Sequence, residues 1–203
     1  MTHNISVINM SFSYKNQEVF QSFSFESSSD FIVFHGPSGC GKTTLLKILT
    51  GFLSPQSGSV ETNCRKISMV IQEDSLFPWM SGVNNICKVL SVGREKVIEH
   101  PMYENVKNFI YKKAYSMSYG QRRLVELLRV LVYRPDMACL DEPFNFLDDN
   151  YRQLVITHLK ELKKTGTKII MSTHADDDLT LSNNEVYVFG GKLPQTEITR
   201  SHV

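Results

Sequence analysis

The chain predicts an α/β fold: a core with a mainly parallel sheet, an antiparallel β-subdomain at the N-terminus and an inserted helical lobe. Three segments carry that expectation. Phe31-Ile-Val-Phe34 is a continuous apolar run feeding a glycine-rich turn and then a helix. Met137-Ala-Cys-Leu140 is a second such run, ending in Asp141-Glu142. Ile169-Ile-Met-Ser-Thr-His174 is a third, delivering one ring at its end. Strands apolar at successive positions are buried on both faces, as in a parallel sheet covered by helices.

The remaining elements follow in order. Residues 8–14 alternate, with Ile8, Met10, Phe12 and Tyr14 expected on one face, and Val19 to Phe25 alternates again after Lys15-Asn16-Gln17, so the pair reads as a hairpin. Thr43 to Thr50 reads as a helix closed by Gly51, with Pro55 and Gly58 in the following turn and Lys66 to Ile71 as a strand. From Pro78 to Ser116 the texture turns helical: Val83, Ile86, Cys87 and Leu90 share one face, and Tyr103, Val106 and Ile110 another. Gln121 to Tyr133 reads as a long helix with Arg122, Glu126, Arg129 and Tyr133 on its polar stripe. Tyr151, Leu154, Val155, His158, Leu159 and Leu162 keep helical spacing until Gly166. Lys168 to Met171 and Glu185 to Phe189 are further strands. We therefore expect a single domain over 1–203, with 1–77 and 134–203 as the core and its N-terminal β-subdomain, and about 78–133 as the helical lobe.

Composition narrows the function classes. The 203 residues are 41% hydrophobic and 21% charged, an ordinary globular balance that excludes disorder and disulfide scaffolds. Lys plus Arg number 22 against 21 acids, a formal net charge of +1, so bulk charge gives no reason to expect nucleic acid as a partner. Cys40, Cys64, Cys87 and Cys139 fit neither a zinc-ligand nor a redox spacing, which points to a reducing, cytoplasmic setting. No segment reads as a signal peptide or a membrane span, so any work at a membrane requires a partner to hold the chain there.

Gly36-Pro37-Ser38-Gly39-Cys40-Gly41-Lys42-Thr43 satisfies the phosphate-loop pattern directly after a strand and before a helix, the context that the motif requires. The glycines let successive amides face an anion, and the helix dipole adds positive potential. Lys42 is the point charge for the β- and γ-phosphates, Thr43 a ligand for Mg2+, and Thr44 continues the cradle. In Asp141-Glu142 the first acid would hold Mg2+ through water, and the second would reach the attacking water as general base. By its residue type alone, His174 reads equally as a hydrogen-bonded core or cap histidine.

With those residues in place the chain resembles the ATP-binding cassette (ABC) ATPases, from Ile5 to about Gly191. The resemblance implies a P-loop NTPase core and assigns Tyr14 to the aromatic that stacks on adenine, a strand-end core tyrosine being the plain alternative. It makes Gln72 the glutamine that contacts the metal and senses a membrane partner, where composition alone sees a polar turn residue. Ser118-Tyr119-Gly120-Gln121 matches the family signature, usually Leu-Ser-Gly-Gly-Gln, although a serine there is equally a simple helix N-cap. Tyr119 replaces the first glycine, and Leu124 replaces an arginine that most members carry, with Arg123 beside it. Asp148 matches the D-loop aspartate and His174 the switch histidine that meets the γ-phosphate. Gln72 to Ile86, with Phe77 and Trp79, and Asp141-Glu-Pro-Phe144 look like the ATPases of nitrate, sulfonate and taurine importers, Phe77 and Trp79 being otherwise packing in the lobe.

The family thus implies an ATPase using ATP and Mg2+ with Glu142, His174 and Lys42 as its catalytic residues, working as a transporter motor on the inner face of the cell membrane. Implied partners are integral-membrane permease subunits, a second ATPase subunit (a homodimer), an extracytoplasmic substrate-binding protein, and no nucleic acid. Two alternatives stand beside it: a soluble ATPase acting on nucleic acid or ribosomes, and a cassette that closes on ATP without hydrolysis. One phosphate loop and no heptad array speak against the first, Glu142 and His174 against the second.

Overall fold

A computed structural model describes residues 4–175, 185–190 and 197–201. Gly191, the expected end of the family resemblance, lies outside them. The N-terminal strands are β1 (Ile5–Tyr14) and β2 (Gln17–Ser27), an antiparallel hairpin joined through Lys15 and Asn16. β3 (Phe31–His35) leads into α1 (Lys42–Leu49), and β4 (Ser57–Thr62) and β5 (Ile67–Val70) follow. The helical segment holds α2 (Gly82–Leu90), α3 (Arg94–Ile98), α4 (Tyr103–Val106) and α5 (Tyr119–Tyr133). The chain then alternates through β6 (Met137–Asp141), α6 (Asp149–Lys164), β7 (Lys168–Thr173), β8 (Glu185–Gly190) and β9 (Glu197–Ser201).

Among the described residues there are two sheets. One has the order β2-β1-β4 and is antiparallel; the other has the order β5-β6-β7-β3-β8-β9 and is parallel except for the β8–β9 edge. The mainly parallel core and the antiparallel β-subdomain are both present. Side-chain alternation divides the parallel strands between two cores. Phe31, Val33, Ala138, Leu140, Ile169 and Met171 pack toward α2–α6. Ile32, Phe34, Met137, Cys139 and Ile170 pack toward α1 and the antiparallel sheet. The three apolar runs are buried on both faces because each face has its own layer. No helix among the described residues is long and apolar enough to cross a membrane.

Four details depart from the sequence pattern. Ile8 does not share a face with Met10: Asn9 has φ 47°, the register shifts between Val7 and Met10, and Ile8 is 42% exposed while Val7 is buried. One extra residue in a strand inverts the alternation that follows it. The helical spacing of Tyr103, Val106 and Ile110 yields only one turn of α-helix, and the chain continues to Ile110 in turns with Ile110 still buried. The polar stripe of α5 does not face solvent, since Glu126 is 2% exposed and the stripe meets the segment after β5. Phe77 and Trp79 stack on each other at 5.7 Å rather than in the lobe's core, with Trp79 64% exposed. β4, α3 and β9 had no counterpart in the sequence reading. β4 carries a single apolar side chain, Val60, with Gly58 at φ 78° lying against the backbone of Ile8 and Asn9, so alternation could not mark it.

Candidate functional site

β6, β7 and β3 are parallel neighbours, so their carboxyl ends open on one edge of the sheet, where ligands of open α/β sheets bind. The loop after β3 closes there over a cavity of about 320 Å³. Its wall is formed by Ser38, Gly39, Gly41, Lys42, Thr43 and Thr44 from the loop and α1, with Tyr14 on one side and Gln72 and Glu142 on the other. Gln17 and Val19 complete it; neither was singled out in the sequence, because they enter only through hairpin pairing beside Tyr14.

Gly41 precedes α1 with φ 104°, and a Cβ there would also lie 3.0 Å from the Phe20 ring. Only glycine combines that backbone with that packing. α1 therefore starts with its free amides turned to the cavity, an arrangement suited to phosphate. The Lys42 ammonium donates to the carbonyls of Gly36 at 2.6 Å and Pro37 at 2.9 Å, and lies 3.6 Å from the Cys40 sulfur. A cation is thus held at the loop's centre although the residue is only 6% exposed.

The acids stand opposite. Asp141, 1% exposed, accepts from the Thr43 hydroxyl at 2.7 Å and from the Ser172 hydroxyl on β7. Its oxygens and Thr43 Oγ1 form the kind of hard-oxygen set that Mg2+ takes. Glu142 adopts φ 45°, uncommon for a residue with a side chain and of a kind that clusters at functional sites. Its amide is held by the Ser172 carbonyl at 3.2 Å and hydroxyl at 3.1 Å. Its carboxylate accepts from Asn145 Nδ2 at 2.6 Å and lies 3.2 Å from His174 Nδ1. His174 is therefore no core histidine: its side chain is 55% exposed and meets Glu142. Ser172 and Asn145 were missed as site residues, one reading as part of an apolar strand and the other as loop.

Tyr14 stands at the hairpin end, 42% exposed, in a T-shaped contact with the Phe12 ring at 4.9 Å. Gln72 follows β5, which ends at Val70 rather than Ile71.

Ser118-Tyr119-Gly120-Gln121 and Asp148 do not line the Lys42 cavity. Ser118 is the N-cap of α5 in a reciprocal capping box with Gln121, both bonds being 3.2 Å. A Cβ on Gly120 would meet the Phe146 carbonyl at 2.5 Å, so the close approach of α5 to the loop before α6 depends on Gly120. Tyr119 does not obstruct it: the ring turns outward, 63% exposed, over Phe146 at 5.3 Å, with the Arg122 guanidinium 4.3 Å from its centre. Arg122 in turn pairs with Asp74 at 2.6 Å. Asp148 caps α6, accepting from the Tyr151 amide at 2.9 Å.

Comparison with known proteins identifies relatives in sequence and in fold. A taurine import ATP-binding protein of Roseobacter denitrificans is 36% identical over 168 residues, which cover 75% of this chain and 63% of that protein. The corresponding protein of Pseudomonas aeruginosa strain UCBPP-PA14 is 32% identical over 180 residues, 81% of this chain and 68% of that one. A spermidine/putrescine import ATP-binding protein of Borrelia garinii subsp. bavariensis is 34% identical over 186 residues, 82% of this chain and 54% of that one. Several of these relatives are much longer: the chain spans under two thirds of the Roseobacter protein and about half of the Borrelia protein. In fold it resembles a bacterial ABC transporter cassette solved as a dimer, with TM-score 0.81 at 21% identity over 91% of this chain and 93% of that one. It also resembles the ATP-binding subunit of an ABC transporter, with TM-score 0.79 at 18% identity over 91% and 85% of the two chains. The ABC transporter family profile matches residues 21–145, and with these relatives it shows that the chain belongs to the ABC transporter family.

Proposed function

We propose that this chain binds MgATP and hydrolyses it as the motor subunit of an ABC importer. The observation that carries the reading is the Glu142 carboxylate, fixed between Asn145 and His174 on the wall of the cavity that Lys42 and Thr43 line. The phosphates lie against the amides of residues 36–44 and the Lys42 ammonium, and Tyr14 stacks on the adenine. Thr43, Asp141 and Gln72 would hold the metal ion, which would supply positive charge against the phosphate oxygens. Glu142 accepts a proton from the water that attacks the γ-phosphorus, while the bond to the β-phosphate oxygen breaks. His174, on the other side of Glu142, faces the γ-phosphate.

A second copy of the chain completes each site. Ser118–Gln121, absent from the Lys42 cavity of their own chain, present α5's N-terminal amides to the partner's γ-phosphate, with Asp148 beside that interface. Permease subunits hold the pair on the inner face of the membrane, and a substrate-binding protein delivers solute from the other side. The relatives' names, taurine import and spermidine/putrescine import, support an importer of small charged organic solutes. ATP hydrolysis by the chain, compared with Lys42→Ala and Glu142→Gln, tests the reading. Lys42→Ala should lose nucleotide binding and Glu142→Gln only turnover; equal hydrolysis by all three would overturn it.

A further inference from the structure

Among the described residues β5 is an edge strand, paired on one side only, with β6, and its pairing ends at Val70, before Ile71 and Gln72. Helix α5 takes the carbonyls of those two residues. Arg123, 3% exposed, donates from Nη1 to the Ile71 carbonyl at 2.7 Å and from Nη2 to the Gln72 carbonyl at 2.8 Å. Its guanidinium also meets Glu126 at 3.0 Å, the two side chains being 4% and 2% exposed. The other Glu126 oxygen accepts from both the amide and the hydroxyl of Ser75 at 2.7 Å. Arg129 donates to the same hydroxyl at 2.8 Å. One buried cluster on α5 thereby grips the chain at residues 71, 72 and 75.

Such a cluster is poor value as a stabiliser. Taking two ions out of water costs as much as their attraction returns, and apolar residues of like volume serve the core as well. Burial pushes the Glu126 carboxyl above its usual range and the Arg129 guanidinium below its own, the direction in which desolvation acts on a charged group. What apolar residues would not supply is a forked donor matched to two successive carbonyls.

We infer that Arg123 is a positioning residue that sets Gln72 on the nucleotide cavity, with Glu126 balancing its charge and anchoring Ser75. The inference rests on the ATPase reading above. Leu124, beside Arg123 in sequence, is buried in the core, so the guanidinium that reaches Gln72 is that of Arg123.

Arg123→Lys tests it, because one ammonium cannot span both carbonyls in the same fork. The expected result is a melting temperature and a KM for ATP close to the parent's, with kcat reduced about tenfold. In a Gln72→Ala background the same substitution should cost nothing further, since the two act as one unit. Glu126→Gln, nearly isosteric, should reproduce the loss and serves where Arg123→Lys does not fold. Hydrogen exchange on the full chain should show faster exchange across residues 72–75 and unchanged protection in β3 and β6. An undiminished kcat in a folded variant, or losses that multiply with Gln72→Ala, would overturn the proposal. If the parent hydrolyses no more ATP than Lys42→Ala, it is the ATPase reading that falls. The exchange result then decides the clamp alone, and unaltered exchange across residues 72–75 refutes it.

Discussion

The Thr43 hydroxyl donates to the Asp141 carboxylate at 2.7 Å, joining the start of α1 to the end of β6 across 98 positions of sequence. That bond brings a neutral and an anionic oxygen to one point beside the phosphate cradle. Thr43→Ala removes one oxygen of the pair and frees the other. The Mg2+-dependent gain in ATP affinity should fall about tenfold, whereas affinity in the presence of a chelator should hold. Titration calorimetry with and without Mg2+ reads both, and an undiminished Mg2+ effect would remove Thr43 from the metal site.

Ser172 carries two duties, donating to Asp141 and accepting from the Glu142 amide, at a fully buried position. Ser172→Ala leaves a buried carboxylate oxygen without its donor, which typically costs about 1–3 kcal/mol. Urea unfolding should show that loss, and turnover should fall with it as Glu142 loosens. A variant as stable and as active as the parent would mean that water replaces the hydroxyl without consequence.

Tyr14 is half open to solvent, so Tyr14→Ala should scarcely alter the melting temperature of the nucleotide-free chain. Stacking on a base is typically worth about 1–3 kcal/mol, and ATP affinity should weaken by that order. Because any base offers a ring face, preference for ATP over GTP should change little. Intact affinity with reduced stability would return Tyr14 to the core.

His100 and His158 face each other at 5.4 Å in the groove between α5 and α6, beside Arg134 and Glu161. Burial pulls both imidazoles down, His100 from 6.5 to about 4, with His158 and Arg134 adding to the shift. A histidine depressed in the folded state binds fewer protons there than when unfolded, so stability rises with pH through that window. It is complete above about pH 6.5 and is lost as pH falls toward about 4. The His100 contribution should be on the order of 1–2 kcal/mol, allowing for the solvent that still reaches the ring. Urea midpoints at pH 7.5 and pH 5 should differ less in His100→Asn than in the parent; equal differences would sink the assignment.

Assembly offers the last test. Glu142→Gln, unable to turn over its ATP, should shift from monomer to dimer when MgATP is added, because nucleotide at the interface stabilises the pair by linkage. Ser118→Arg should cancel the shift and leave ATP binding to the monomer intact. Light scattering reports the mass, and a dimer indifferent to Ser118→Arg would refute the role given to α5's N-terminus.

Much of this site could be read from the chain because its parts are local. A glycine-rich turn, its lysine and its threonine occupy consecutive positions, and the strand ending in Asp141-Glu142 announces itself by six apolar or acidic residues in a row, Met137 to Glu142. Ile8 was misplaced because a bulge at Asn9 leaves no mark in a pattern that is otherwise alternating. Helical spacing puts Glu126 on the polar stripe of α5 and says nothing of what covers that stripe, which here is the segment after β5.

The amino-acid order alone therefore settled the layered α/β class, the glycine-rich loop between β3 and α1 and the acids at the end of β6, all of which follow from backbone preference and short apolar runs. Folding settled the rest. Ser172 lies 31 positions from Asp141, Ser75 lies 51 from Glu126, and Gln72 lies 51 from Arg123. No periodicity spans such separations. Their partners are chosen by which strand ends lie side by side and which helix face closes over an edge strand, and a buried polar group takes whatever complement that packing brings within 3 Å.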